Sequence, residues 1–422
     1  MTDVFFMGGK TYLLTRSENS QSTPANYGTY NSGGSDDKIL QITSFTPTMK
    51  NNMIKVFTLG GGRSYKTVVP GKFEYSASFD FNMQNGNFMK YALGTVSSGT
   101  QATKTFDGAT ITGTPTAALK SYGCKESDVL DSFSTDLWNL SDASASDIKT
   151  QTLGCKVNQL SLKSDTENPL KATADILGQK PTTSVDTYTA PTTANYTNVP
   201  IMFYTGQLLI GSGDRGDSGT GTLNTLTDST KAWTVNAWQT NYVLIDVNGT
   251  AFVISSNTAT ALTVSGTPAT GEYVITPLTT LASAQVIQCN SVDSTIAQNL
   301  EQYWAIANTT GRGPRFIYEK MREYSLTLDL NFTNSEQLGR FYTGATGGLT
   351  PITGSTYSPF MVVVDHTTAV SDGDNYRAIR FVYSDVVIDE LSLPVDPKDI
   401  LKQTIRAFAK HLNVYYITAE VQ

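Results

Sequence analysis

The chain has 422 residues, and only 16% of them are charged. Its 30 basic and 37 acidic residues give a net charge of −7 and a pI near 5.0, which argues against a surface that coats DNA or anionic membranes. No apolar stretch is long enough to span a bilayer, and the first residues lack the basic start and apolar core of a signal peptide. We therefore expect two or three domains, assembled in the cytoplasm and without a membrane partner.

The first clear strand is EYSASFDFN, which begins at Glu74. Tyr75, Ala77 and Phe79 alternate with polar residues, and this period of two predicts one face on a core and one face toward water. The segment NGNFMKYALG follows. It begins with Asn and ends with Gly, as helix caps prefer, and therefore predicts a short helix.

Four blocks of sequence recur in the same order, which indicates an internal duplication. EYSASFDFNMQN returns as EYSLTLDLNFTN with six of twelve positions identical, at a distance of 324 − 75 = 249 residues. A second short helix, NSEQLGRFYTG, follows the second copy. The other recurring pairs are VNQLSLKSDTENPLKAT from Val157 with IDELSLPVDPKDILKQT from Ile388, ITSFTPTMKNNMIKVF from Ile42 with CNSVDSTIAQNLEQYW from Cys289, and GKTYLLT from Gly9 with TGQLLIG from Thr205.

One segment, residues 213–277, has no counterpart in the first copy. Its short apolar runs YVLIDV, AFVISS and ALTVSG are separated by turn signals, which predicts an inserted small β domain. The first domain then covers residues 1–192, and the second is discontinuous, with residues 193–212 and 278–422. The candidate core of the insert is Trp233, Trp238, Val243, Ile245, Phe252 and Val264.

The segment 396–412 fits two structures. Ile400, Leu401 and Ile405 have helical spacing, and Asp-Pro is a good helix start. Its counterpart from Leu170, LKATADILGQK, alternates as a strand does. Because the two copies constrain each other, we predict a strand in both.

Few residues offer chemistry. Cys124, Cys155 and Cys289 have no paired spacing, and we expect buried reduced thiols. His366 and His411 have no partner at metal-ligand spacing, and we expect isolated surface residues. The sequence therefore predicts no enzyme, no metal and no cofactor.

The order of the blocks LQITSFTPTMKNNMIKVFTLGGGRSYKTVVPGKFEYSASFDF, a short helix and VNQLSLKSDTENPLKATADILG resembles the tail tube (major tail) proteins of long-tailed bacteriophages and related archaeal viruses. The resemblance implies a mainly β fold with short helices, in which two duplicated domains of β-sandwich type join sheets with neighbouring subunits into one barrel. It also implies a structural virion protein of a tail, which three chains would assemble as a six-domain ring. The implied partners are further copies of the chain, the tape measure, terminator and baseplate or tip proteins, and genomic DNA in transit without specific binding.

The polar strand faces suit the lumen of such a tube, because acidic and hydroxyl side chains would repel DNA weakly where a cationic wall would hold it. We expect the insert on the outer surface, since domains in the lumen would obstruct the DNA. The residues predicted to line the channel are Glu74, Ser76, Ser78, Asp80, Glu323, Ser325, Thr327 and Asp329.

Two other classes of function compete with this prediction. Trp233, Trp238 and Tyr242 in the insert could stack on sugar rings, as in an adhesin or a carbohydrate-binding module. A hydrolase on a β scaffold is disfavoured, because Glu74 and Asp80 lie six residues apart on one strand, at about 20 Å, whereas paired catalytic carboxylates need about 5–9.5 Å.

Overall fold

The computed structural model describes residues 6–18, 27–29, 38–39, 42–59, 64–111, 119–141, 147–187, 200–202, 205–278, 287–305, 311–344, 346, 350–351, 358–367, 377–394 and 401–418. These residues form a mainly β protein with two short helices, as the sequence predicts. Neither of these helices is long and apolar enough to cross a membrane. The helices are α1 (Met89–Leu93) and α2 (Glu336–Thr343), and the strands are β1 (Phe6–Ser17), β2 (Lys38–Ile39), β3 (Ile42–Lys50), β4 (Ile54–Val56), β5 (Thr67–Val69), β6 (Glu74–Asn82), β7 (Gly94–Val96), β8 (Thr100–Gln101), β9 (Lys120–Glu126), β10 (Phe133–Ser141), β11 (Asp147–Asp165), β12 (Lys171–Gly178), β13 (Lys180–Asp186), β14 (Gly206–Gly211), β15 (Asp214–Thr222), β16 (Thr225–Thr227), β17 (Tyr242–Asp246), β18 (Ala251–Asn257), β19 (Ala261–Val264), β20 (Gly271–Pro277), β21 (Cys289–Ala297), β22 (Glu301–Tyr303), β23 (Phe316–Tyr318), β24 (Glu323–Asn331), β25 (Phe360–Thr367), β26 (Ala378–Ser392), β27 (Lys402–Ala409) and β28 (His411–Thr418).

The centre of the fold is an antiparallel sheet, here named the large sheet, with the order β3–β6–β12–β11–β21–β24–β27–β26. Its first four strands belong to the first unit, which comprises the described residues up to 187, and its last four belong to the second unit, which comprises the described residues 200–212 and those from 278 onward. The pairing order of the first unit recurs in the second, and the irregularities recur with it. One register irregularity lies between Ile42 and Ser44 of β3 and recurs between Cys289 and Ser291 of β21. Another lies between Val157 and Gln159 of β11 and recurs between Ile388 and Glu390 of β26. An internal duplication would produce this recurrence, and the duplication itself stays a prediction.

The two longest strands, β11 and β26, each bend from the large sheet into a second sheet. The bend of β11 contains Gly154 with φ of 63°, and the bend of β26 contains Asp385 with φ of 54°. Beyond the bends, β11 pairs with β10 and β13, and β26 pairs with β25 and β28. The left-handed backbone favours Gly, and Asp tolerates it better than most other residues.

The core lies between these sheets, and the predicted alternation of β6 and β24 is confirmed. Tyr75, Phe79, Leu326 and Leu328 are at most 2% exposed, as a core face requires. The strand predicted within 396–412 is also confirmed by β27 and the start of β28, while residues 396–400 lie outside the described residues. Both helices end at a glycine with positive φ, Gly94 and Gly344, as their sequences predict.

The insert folds as a closed barrel of six strands, β15–β16–β19–β18–β17–β20, over the range that the sequence predicts. Leu244, Phe252 and Val264 fill its interior. Val243 and Ile245 were predicted in this interior, and that prediction is wrong: both side chains leave the barrel and join a second apolar cluster. That cluster includes Leu209, Val363, Val382, Tyr415 and Ile417 of the second unit, so the barrel is packed on the body.

Candidate functional site: the polar sheet face and its edges

The large sheet has one face on the core and one polar face. The side chains predicted to line a channel all lie on the polar face, where each is exposed or half-exposed. The position of this face in an assembly stays a prediction. The residues are Glu74, Ser76, Ser78, Asp80, Glu323, Ser325, Thr327 and Asp329.

Hydroxyl groups hold the central carboxylates of this face in the same way in both units. Thr173 Oγ1 donates to Asp80 Oδ1 at 2.6 Å, and Thr404 Oγ1 donates to Asp329 Oδ1 at 2.7 Å. The hydrogen bond from Thr173 is the main reason why the pKa of Asp80 lies below its ordinary value. Asp80 is therefore ionised at neutral pH.

Neighbouring strands add basic side chains to this face, which the sequence did not predict. Lys171 Nζ lies 3.4 Å from Asp80 Oδ2 and so offsets part of its charge. Only the strand register could have shown this, because the partners are distant in sequence. Acidic residues still outnumber basic ones: the face carries Glu74, Asp80, Asp165, Asp175, Asp293, Glu323, Asp329 and Glu390 against Lys50, Lys156, Lys163, Lys171, Lys402 and Arg406.

The two units join in the middle of the large sheet through β11 and β21. Their ladder runs from Gln159 opposite Ala297 to Asp165 opposite Ser291. Ser161 Oγ and Thr295 Oγ1 meet across it at 3.3 Å. At the outer edges, described pairing is one-sided: β3 pairs with β6, and residues 387–392 of β26 pair with β27. The open edges are thus the counterparts of the two strands that join in the middle.

Each unit also carries a two-stranded hairpin, and the two hairpins have different surroundings. The first arm is β4 with β5, and the second arm is β22 with β23. The second arm lies on the first unit: Ile317 is 0% exposed, and the ring of Phe316 lies 4.8 Å from that of Tyr27. Gln179 Nε2 adds a hydrogen bond of 3.2 Å to Arg315 O, just before β23.

A buried ion pair fixes the second arm to the first unit. Lys156 Nζ lies 2.5 Å from Glu319 Oε1 and donates to Ile317 O at 3.2 Å. The Lys156 side chain is 0% exposed, and burial lowers its pKa although Glu319 acts in the opposite direction. Glu319 Oε1 also accepts from Leu130 N at 3.0 Å. Both partners are therefore largely withdrawn from water.

The cysteines and histidines were predicted as buried thiols and surface imidazoles. All three thiols are free; Cys124 and Cys155 are buried and Cys289 is partly buried. Burial raises the pKa of Cys124 and of Cys289 to about 12. The prediction for His366 is wrong: it is 1% exposed, and burial lowers its pKa to about 4. His411 is half-exposed, and its Nδ1 lies 3.4 Å from Glu126 Oε2. Within the described part of the chain, no three potential metal ligands cluster.

The aromatic residues of the insert have different environments. Trp233 is packed in the barrel core, and its Nε1 donates to Asp214 Oδ2 at 2.6 Å. Trp238 and Tyr242 are half-exposed, with ring centroids 4.9 Å apart and planes at 85°. The three rings therefore do not form one flat stacking surface.

In comparisons with known proteins, no protein-family model matches the chain, and no curated protein matches it significantly.

Proposed function

We propose that the chain is a structural protein of a viral tail, and that three copies close into a ring of the tail tube. The strand order supports this proposal, because the open edges β3 and β26 are the counterparts of β21 and β11, which already pair inside the chain. A chain that joins two units in this way can join the next chain in the same way. Repetition closes the sheet into a barrel and removes the exposed edges.

The shared register predicts which residues meet between chains. Ala297 corresponds to Lys50 and Gln159 to Glu390, so the inner pair Gln159–Ala297 becomes Glu390 opposite Lys50. By the same register, Ser392 lies opposite Thr48, which repeats the hydroxyl pair of the inner junction. Opposite charges and paired hydroxyls directly across a ladder stabilise it. The two edges are therefore chemically suited to each other.

The polar face suits the lumen of this ring. Its excess of carboxylates repels the phosphate backbone, while its hydroxyls and scattered basic groups keep the repulsion weak. The inserted barrel packs on the second sheet, where Val243 and Ile245 contact β14, β25, β26 and β28, and not on the polar face. This position agrees with an insert on the outside of the ring.

Native mass spectrometry and negative-stain electron microscopy of the concentrated protein test this proposal. Three chains per ring, six similar units around a central hole and stacking into tubes are the expected results. A ring of six chains would contradict the number proposed, and a protein that stays monomeric at all concentrations would contradict the function.

A further inference from the structure

The first arm exposes an unusual amount of apolar surface. Phe57 is 68% exposed, and Leu59 is fully exposed. Exposed apolar patches of this kind mark surfaces that bind another protein. The other exposed apolar residues on or beside this arm are Met49, Met53, Ile54, Tyr65 and Val69.

The second arm shows what such an arm contacts. The two arms are equivalent, because Val69 precedes Glu74 by the same five residues that separate Tyr318 from Glu323. Val68 then corresponds to Ile317, which is buried on the first unit beside Lys156 and Leu177. Lys156 and Leu177 are a cross-strand pair of β11 and β12. They form the floor of the site that receives the second arm.

The second unit carries the matching floor without a described occupant. The strand register makes Val387 the counterpart of Lys156 and Phe408 the counterpart of Leu177, since Val387 and Phe408 also face each other across their ladder. Val387 is 39% exposed and Phe408 is 52% exposed. The site that is filled in the first unit is thus apolar and open in the second.

The two sites also differ in a correlated way. In the filled site Lys156 meets Glu319, at 2.5 Å. The counterparts are Val387 on the floor and Pro70, the residue after β5, on the first arm. Lys156 and Glu319 are both charged, whereas Val387 and Pro70 are both apolar. The first arm therefore matches the second unit in chemistry, and not the first.

We propose that the first arm of one chain docks on the Val387–Phe408 surface of a second copy, with Val68 in the place that Ile317 takes inside the chain. This proposal rests on the proposed function, because the neighbour in the ring brings the second unit to the arm. It adds the contact by which neighbouring chains hold each other beside the shared sheet. By the register, Phe408 lies opposite Ser325, so the docked arm covers one end of the polar face, as the second arm does at Leu177 opposite Ser76.

Thiol cross-linking tests the contact directly. Two variants in a Cys289→Ser background, one with Val68→Cys and one with Val387→Cys, are mixed and treated with a short bis-maleimide. A covalent dimer that contains one chain of each kind is expected. Val185→Cys, exposed on β13, replaces Val387→Cys in the control, and no dimer is expected there.

A charge-exchange pair tests the residue assignment. Val387→Lys should weaken association about tenfold, because it leaves an unpaired charge in the contact. Adding Pro70→Glu should restore association by recreating the Lys156–Glu319 pair between chains. A failure of Pro70→Glu to restore association would overturn the assignment.

The outcomes separate this inference from the proposed function. Assembled protein without the mixed dimer overturns the arm contact and leaves the ring intact. The mixed dimer in an assembly of another size supports the arm contact and contradicts the ring of three. Monomeric wild-type protein at all concentrations overturns both.

Discussion

The ion pair between Lys156 and Glu319 should control how firmly the second arm is held on the first unit. Lys156→Met leaves the Glu319 carboxylate with Leu130 N as its remaining described donor, in a site where its side chain is only 14% exposed. Breaking a buried pair by removal of one partner costs about 3–5 kcal/mol. Since Glu319 keeps some contact with water, we expect about 3 kcal/mol for this variant.

The double variant Lys156→Met with Glu319→Leu should recover most of this loss. Replacing both charges with apolar groups of similar volume is often neutral or stabilising, because neither charge then has to leave water. The coupling free energy of the double-mutant cycle should therefore be about 2–3 kcal/mol. The same exchange has an internal precedent, since Val387 and Pro70 occupy the corresponding positions.

Hydrogen-exchange mass spectrometry on peptides that cover β22 and β23 measures the local opening of the arm. An opening cost reduced by about 3 kcal/mol corresponds to exchange faster by about a hundredfold. Lys163→Met is the control, because Lys163 is 56% exposed and lies 3.7 Å from Asp165 in a surface pair that should contribute little. Unchanged exchange in Lys156→Met, or additive effects in the double variant, would refute the reasoning.

Three further predictions concern the core, the insert and acid stability. Leu328→Asp should prevent folding, because a buried unpaired charge costs several kcal/mol, and normal assembly of this variant would show that the faces of the strand are assigned the wrong way round. Asp329→Lys should leave rings intact and slow DNA passage. Because Asp214 and Ile275 are strand partners at the two ends of the barrel, a short Gly/Ser linker can replace it, with Val363→Thr and Val382→Thr to make the uncovered surface polar. Electron microscopy should then show smoother rings of normal bore, and loss of rings would place the barrel in the ring contact. Because the pKa of His366 is lowered, the unfolded chain binds more protons than the folded chain between pH 4 and 6.5, and the free energy of unfolding falls by about 2–3 kcal/mol as the pH decreases through this window. His366→Gln should remove that part of the loss in urea unfolding, and an unchanged pH dependence would show that His366 does not titrate as described.

The sequence alone determined the local structure and its repetition. Alternating residues in EYSASFDFN and EYSLTLDLN specify strands with one buried face, because the period of two is a property of the strand itself. Short-range signals also located the glycine that ends each helix and the limits of the six-strand barrel, whereas the predicted Asn start of α1 is wrong, since its N-cap is Phe88. The segment after residue 400 was resolved by its likeness to the alternating sequence from Leu170, since its own apolar spacing also fits a helix.

Tertiary structure alone decided which residues meet across long distances in the chain. The sequence placed Val243 in the barrel core and His366 at the surface, because neither the packing of the barrel on the body nor the burial of β25 leaves a local signal. The ion pair of Lys156 with Glu319 joins residues 163 positions apart, and the exposed Val387 and Phe408 become a surface only through the register of β26 with β27. Alternation fixes the face of each side chain, whereas its neighbours on that face depend on strand order and register, which nonlocal packing sets.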